Sequence, residues 1–320
     1  MDILLASPID ADAIEWLRRT HDLRLAYNAQ SEDLRSLLKD REVLIFRSGV
    51  DISAEVLGSA SRLRFVVRAG SGLDNVDLDY LRSRGIRLVR IPGPGAQAVA
   101  ELTFALMLGL ARNVCLADRL IRQGNWPKSD LAGPLTAGKT LGIVGIGNIG
   151  TRVGLLASRW GMRVIGCVEH PSPARAKGFA ERGITLTDCE TVIREADFLT
   201  LHVPLKDSTH HLIGERAVSL MKEGSFLINA SRGGVVDELA LYRALTEGGM
   251  LRGVALDVHE REGEGTISPF ASLPNVVLTP HIGAMAMDSQ REIGRRVIQL
   301  LDSFAQGRIE EEAQDRELVT

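Results

Sequence analysis

Three short segments carry the side chains with chemistry to offer, and each follows an apolar run. Residues 229–237 place Arg232 just after one run, and residues 255–262 place Asp257, Glu260 and Glu262 at the end of the next. Residues 278–284 place His281 after the last. A histidine titrating near neutrality can protonate a carbonyl oxygen and take the proton back from the alcohol, so it serves both directions of a reduction. A carboxylate beside it would orient the ring and raise its pKa. An arginine grips a carboxylate in fork geometry and polarises an adjoining carbonyl. The set suits hydride exchange with a 2-keto acid. Each residue alone has a plainer reading: a strand-end histidine is more often structural, and an arginine before Gly233-Gly234 can simply cap a turn. Their joint occurrence beyond a nucleotide-binding motif makes the catalytic reading the stronger.

That motif is Leu-Gly-Ile-Val-Gly-Ile-Gly-Asn-Ile-Gly at residues 141–150, a GxGxxG on Gly145, Gly147 and Gly150. Gly145 permits a tight strand-to-helix turn, Gly147 lets the backbone approach a pyrophosphate, and Gly150 lets helix and strand pack closely. The amides of Asn148 and Ile149 open the helix, where its positive end favours phosphate. The pattern alone is weak; a strand before it and a periodic helix after it supply the confirming context. The next expected element is an acid about 20 residues on, to hold ribose hydroxyls. Glu169 lies 19 residues after Gly150, either in that role or as an exposed loop acid.

The elements that must position these groups alternate in type. Apolar runs at 2–6, 43–47, 65–68 and 87–91 read as strands, and 11–20 and 32–39 as helices, so the front third implies βαβ units and a parallel sheet. Pro92-Gly93-Pro94-Gly95 breaks the chain, and a helix starting at about Ala98 follows, expected to lie buried between domains. Its most apolar part, 102–111, is short against the roughly 20 residues that span a bilayer. A Gly- and Pro-rich loop runs from 124 to 138. A second βαβ series has strands at 140–145, 163–168, 198–202, 226–229, 253–257 and 276–279. In its first helix, 149–160, Ile149, Val153, Leu156 and Trp160 share one face. An amphipathic helix at 290–304 closes the pattern, and the charged tail beyond Gly307 is expected to fray or dock on a partner. In open α/β sheets ligands bind beyond the carboxyl ends of strands, so the three catalytic segments converge on the cofactor side.

Bulk composition narrows the class. The 320 residues suit two domains, and 45% apolar with 25% charged residues is the balance of a globular protein. A net charge of −3 argues against a nucleic-acid binder. Cys115, Cys167 and Cys189 form no CxxC pair, so neither a disulfide framework nor a metal site is expected, and reduced cytoplasmic thiols are. The apolar run at 3–6 is too short for a secretion signal, and no membrane partner is expected.

Together these residues resemble the D-2-hydroxyacid dehydrogenase family, and within it the phosphoglycerate dehydrogenase branch, over nearly the full length. The resemblance rests on Arg47-Ser48, residues 68–77, 100–103, 138–150, 202–205, 229–238 and 280–284. It implies an α/β fold of two Rossmann-like domains, flavodoxin-like plus dinucleotide-binding, with parallel sheets and an active-site cleft between them. The substrate domain would be discontinuous, 1–97 plus 286–320, and the NAD(P)-binding domain 98–285. Arg232 would bind substrate, His281 would be the acid/base, and the partner glutamate would be Glu262, with Glu260 a weaker candidate. His202, Val203, Pro204, Ala230 and Gly283 would line the cofactor, and Asp257 would face the nicotinamide carboxamide. Arg47 and the backbone at Ser71 and Gly72 would meet a small carboxylate substrate, such as 3-phosphoglycerate or hydroxypyruvate. The cofactor would be NAD, with NADP open, and the assembly a homodimer. A short form without regulatory domains is expected. The same scaffold also serves NAD(H)-sensing binding proteins without turnover, although an intact Arg232, Glu262 and His281 argues against lost chemistry.

Some positions depart from the family pattern. Val168 stands where the ribose-binding Asp falls, with Glu169 one place late, and such a slip moves a strand-end side chain to the other face. His170 and Arg175 are the nearest cations for an NADP phosphate. Gly263 replaces a common Pro, Met285 a small polar residue, and Gly93-Pro94-Gly95 a stretch with amide side chains. Arg47, Arg64 and Arg68 could hold a substrate phosphate or merely solvate a surface.

Overall fold

The computed structural model describes residues 1–247, 250–309 and 318–319. The chain divides into two compact units, Met1–Gly95 with Ala284–Thr320, and Ala96–Gly283. Each unit is built on one parallel sheet with helices packed on it, so the α/β class read from the sequence holds.

The first unit has strands β1 (Asp2–Leu5), β2 (Asp22–Leu25), β3 (Val43–Phe46), β4 (Phe65–Arg68) and β5 (Arg87–Arg90). They lie in the order β2-β1-β3-β4-β5, the flavodoxin-like winding. Both β3 and β4 are buried at every position, as a parallel sheet covered on two faces requires. Each fully buried Leu, Ile or Phe there contributes about 1.5–3 kcal/mol. The edge strand β2, Asp-Leu-Arg-Leu, escaped the sequence reading because it alternates exposed and half-buried side chains and carries two charges. Helix Ala11–Thr20 matches its expected span; Asp10 caps it by accepting from the Asp12 and Ala13 amides. The closing helix Met287–Ala305 starts earlier than expected and sends Ile293, Val297, Leu300 and Leu301 into the core beside β1, β3 and β4. Phe304 stacks on Phe65 at 4.4 Å between centroids. Most of the tail expected to fray or dock on a partner, 310–317 and 320, lies outside the described residues. Within it, Leu318 bridges Val89, and the Val319 amide donates to the Leu88 carbonyl at 2.8 Å.

The second unit has β6 (Thr140–Val144), β7 (Arg163–Cys167), β8 (Ile184–Leu186), β9 (Phe198–Leu201), β10 (Ser225–Asn229), β11 (Leu251–Leu256) and β12 (Val276–Leu278). The order β12-β11-β10-β9-β6-β7-β8 is the doubly wound arrangement, reversing direction between β6 and β9. A crevice at that reversal, beyond the strand ends, is where such sheets take ligands. One expectation is corrected here. The long helix runs Gly93–Ala111, so Pro92-Gly93-Pro94-Gly95 does not break the chain but opens the helix. Proline in a first turn costs no hydrogen bond, because those amides have no intrahelical acceptor. Among the described residues this is the one helix with the length and composition to cross a membrane, at a mean hydropathy of 1.3. Its buried side chains, Leu106, Met107 and Leu110 among them, pack with Leu141, Ile143 and Phe226 in the core of the second unit.

Candidate active site

The glycine turn follows β6. Gly145 has φ +95°, and a Cβ there would sit 2.6 Å from the His202 carbonyl oxygen. A Cβ on Gly150 would sit 2.3 Å from the Gly145 oxygen, so helix Asn148–Arg159 packs directly on the turn. Gly147 differs: nothing lies within 4 Å of its Cβ position. That opening sits at the start of the helix, where no side chain caps the first amides, so a phosphate can approach the backbone. Asn148 turns its side-chain oxygen to Arg152 at 2.9 Å, leaving its contribution to the backbone amide. Beside the turn, a cavity of about 810 Å³ runs along the ends of β6, β7, β8 and β9. Val203, Pro204 and Glu169 line it, as does Lys206. The open glycine and the cavity together fit a dinucleotide.

Val168 is half-buried, packs against the core and lines the cavity, where its side chain has no group to hydrogen-bond a ribose. Glu169 is exposed at the cavity rim, and Lys206 Nζ donates to its two oxygens at 3.1 and 3.4 Å. That hydrogen bond holds the Glu169 carboxyl below its ordinary range. Arg175 donates to the His170 carbonyl at 2.8 Å. His202 has an enclosed ring with Nε2 3.0 Å from Thr200 Oγ1, and burial pushes its pKa down to about 3. Its ring is therefore neutral, and its carbonyl lies against Gly145. Ala230 is buried immediately after β10.

Arg232 owes its position to Asn229. The Asn229 Oδ1 accepts from the Ser231 amide and hydroxyl at 3.0 and 2.7 Å, and its Nδ2 donates to the Arg232 carbonyl at 2.8 Å. A Cβ on Gly233 would lie 1.9 Å from the His259 carbonyl oxygen, so the arginine segment is pressed against the segment that follows β11. The two are also stapled. Glu260 N donates to Glu238 Oε1 at 2.9 Å, Glu238 N donates to Glu260 Oε1 at 3.2 Å, and His211 Nε2 lies 3.1 Å from that same oxygen. Glu260 is thus engaged away from His281.

Glu262 meets His281. Its Oε2 lies 2.8 Å from His281 Nδ1, and its Oε1 accepts from the His259 amide at 3.1 Å. Burial alone would raise the Glu262 pKa, but the His281 hydrogen bond and charge, with the His259 amide, hold it below its ordinary value. With Nδ1–H donated to the carboxylate, the neutral ring keeps its lone pair on Nε2, ready to take or give a proton. His281 has φ +55°, a conformation a non-glycine residue keeps only where its surroundings impose it. Asp257 does the imposing. It is 1% exposed, Oδ1 accepts from Thr279 Oγ1 at 2.6 Å and Ile282 N at 2.9 Å, and Oδ2 accepts from Gly283 N at 2.8 Å. The Asp257 carbonyl accepts from His281 N at 2.7 Å. The residue that the family resemblance sets toward a carboxamide thus also holds the histidine loop.

Residues 104–283 match the model of the D-isomer specific 2-hydroxyacid dehydrogenase NAD binding domain. The hydroxypyruvate reductase of Thermotoga maritima is 35% identical over 295 residues, covering 91% of this chain and 94% of that protein. The chain belongs to the D-isomer-specific 2-hydroxyacid dehydrogenase family. The D-3-phosphoglycerate dehydrogenase of Methanocaldococcus jannaschii is 38% identical over 97% of this chain, which spans only 58% of that relative's length. Among solved structures, D-lactate dehydrogenase from Aquifex aeolicus, complexed with NAD and lactic acid, superposes with a TM-score of 0.88. It is 29% identical and covers 99% of this chain and 98% of its own.

In this member of the family the first unit holds the remaining candidates. Arg68 is buried, stacks over Phe46 at 5.4 Å and donates to the Gly72 carbonyl at 2.8 Å. Arg90 donates to the Ser71 carbonyl at 3.3 Å, so two arginines shape the 71–72 loop from behind. Arg64 lies over Phe304 at 5.6 Å. Arg47 donates to the Met285 sulfur at 3.3 Å. The sequence reading missed Lys206, Asn229, His211 and Glu238. Asn229 was legible as an Asx residue at a strand end; the others act across loops distant in sequence and left no local signal.

Proposed function

We propose that the protein interconverts a small 2-keto acid and its D-2-hydroxyacid with a nicotinamide dinucleotide, His281 acting as acid/base. The observation that carries this reading is the 2.8 Å His281–Glu262 pair, in the same unit as an open glycine turn. The bound nicotinamide supplies the hydride in reduction and accepts it in oxidation. In reduction, Arg232 grips the substrate carboxylate and draws charge toward the carbonyl oxygen. His281 Nε2–H gives that oxygen its proton, and Glu262 stabilises the charged ring before and holds the tautomer after. Oxidation runs the same transfer backward.

Hydroxypyruvate is favoured over 3-phosphoglycerate, because Arg64 and Arg68 stack on Phe304 and Phe46 where a phosphate site would need them turned outward. The rim carboxylate of Glu169 favours NAD, and its pairing with Lys206 softens discrimination against NADP. A homodimer is supported by exposed apolar side chains on the second unit: Trp126 is 80% exposed, and Leu135, 72% exposed, adjoins Thr136, which accepts from half-exposed Trp160. The deciding experiment is a panel of hydroxypyruvate, glyoxylate, pyruvate and phosphohydroxypyruvate with NADH and NADPH, followed by cofactor absorbance. Turnover that falls at least about 10²-fold in His281→Ala supports the reading. Tight NADH binding without turnover on any member favours the sensing alternative.

A further inference from the structure

Two thiols stand in the nucleotide cavity with no part in this chemistry. Cys167 ends β7, is 7% exposed, and its carbonyl accepts from the Gly145 and Ile146 amides at 3.1 Å each. It therefore underlies the glycine turn itself. Cys189 opens helix Cys189–Glu195 and is half-buried. The chain brings the two together because Leu186 pairs with Gly166 and the Thr187 amide donates to the Gly166 carbonyl at 2.9 Å. Both side chains line the same cavity and pack in the same core cluster.

We propose that Cys167 and Cys189 are a dithiol site that a peroxide closes to an intramolecular disulfide, and that this closure and dinucleotide binding exclude each other. The second half rests on reading the cavity as the dinucleotide site. Cys189 is the more exposed of the two; its neighbour Cys167 lowers its pKa, whereas Cys189 and burial raise that of Cys167. Cys189 is consequently the attacking thiol, and Cys167 resolves. The Cys189 thiolate forms an S–O bond with one peroxide oxygen as the O–O bond breaks, and the departing hydroxide takes a proton to become water. The Cys167 sulfur then attacks the Cys189 sulfur; the S–S bond forms, the S–O bond breaks, and the leaving hydroxide takes the Cys167 proton. Two thiols lose two electrons and the peroxide becomes two waters. A bond of about 2.05 Å between the sulfurs draws the start of the helix toward the end of β7. That movement reshapes the cavity floor beneath the glycine turn. A bound dinucleotide would in turn cover Cys189, the more accessible thiol of the pair.

The test uses the full chain with Cys115→Ser, which removes the exposed third thiol. Peroxide is titrated with and without saturating NADH, and intact mass and peptide maps are read. The expected product has lost about two mass units and carries a Cys167–Cys189 cross-link. Adding Cys189→Ser should abolish the reaction, whereas adding Cys167→Ser should halt at a sulfenic acid that dimedone traps on Cys189. NADH should slow the cross-linking, and the oxidised protein should bind NADH at least about tenfold more weakly, with recovery in dithiothreitol. Absence of a cross-link in protein whose thiols react normally once unfolded overturns the site. A cross-link that leaves NADH affinity unchanged overturns the exclusion. Failure of the reduced protein to bind NADH at all would count against the cavity assignment, while the mass readout still judges the dithiol.

Discussion

The Asp257 carboxylate decides whether His281 is held or loose, and Asp257→Asn tests it with minimal change of shape. The native carboxylate accepts three hydrogen bonds, two on Oδ1 and one on Oδ2, from a hydroxyl and two backbone amides. An amide has one acceptor oxygen. With it in the Oδ1 place, the new NH₂ opposes the Gly283 amide; with it in the Oδ2 place, Thr279 and the Ile282 amide lose their acceptor. At best one charge-assisted bond, about 1.5–3 kcal/mol, is lost and one buried N–H is orphaned. Such a deficit loosens a loop whose histidine sits at φ +55°. Roughly 2 kcal/mol spent on restoring the productive loop corresponds to a fall in kcat of about 30-fold. The cofactor KM should change less than about threefold, because the glycine turn and cavity walls are untouched. Steady-state kinetics with NADH and the best keto acid measure both, with circular dichroism to show that the variant is folded. A normal kcat with a raised cofactor KM would refute the positioning argument and return Asp257 to the carboxamide.

The glycine turn separates structure from binding. Gly147→Ala should melt within about 1 °C of wild type yet bind NADH at least tenfold more weakly, whereas Gly150→Ala should lose several degrees by thermal melt. Equal melting temperatures would contradict the close approach of Gly150 to the turn. Replacing Glu262 with Gln should reveal a pH-dependent stability term. The folded carboxyl is held below its unfolded value, so the contribution is complete above about pH 4.3 and disappears as pH falls through the folded pKa. Urea melts of both proteins from pH 7 to 3 should converge on acidification; divergence would reverse the sign. At the cavity rim, Lys206→Ala should sharpen the preference for NADH over NADPH by severalfold and Glu169→Gln should erode it, read as ratios of kcat/KM. Identical ratios in both variants would remove the pair from cofactor selection.

What could be read in advance followed from periodicity and from glycine. The runs that became β3, β4 and β6 are continuous and apolar because both faces of their sheets are covered. The GxGxxG carries its own mechanism at three spaced positions. Arg232 and His281 were legible because each closely follows a strand, whereas Glu262 was singled out among its acidic neighbours by the family resemblance and pairs with His281 at 2.8 Å. The failures have physical causes as well. Proline was taken as a breaker at Pro94, but the first turn of a helix tolerates it. Asp257 was placed by the family resemblance alone, and its three hydrogen bonds to the histidine loop add a holding role that no local pattern announces.

The staple between the Arg232 and Glu262 segments was illegible for a further reason. Its Glu238 and Glu260 amides each donate to the other's carboxylate and the His211 ring meets Glu260, contacts that span 22 and 49 residues and so leave no local pattern. His211 also stands at φ +49°, with its own amide donating to the Gly234 carbonyl at 2.8 Å. Two left-handed histidines therefore brace one site. His281 presents its ring to Glu262, whereas His211 ties down the loop after the arginine. The segments they brace come from three strand ends and share no local sequence. Substrate carboxylate and transferred proton must nonetheless be held to a fraction of an ångström, since a displacement of about 1 Å can cost 10²-fold in rate. The buried Asp257 and the Glu238–Glu260 exchange supply that rigidity from behind, which is why acids outnumber the one acid/base pair at this end of the sheet.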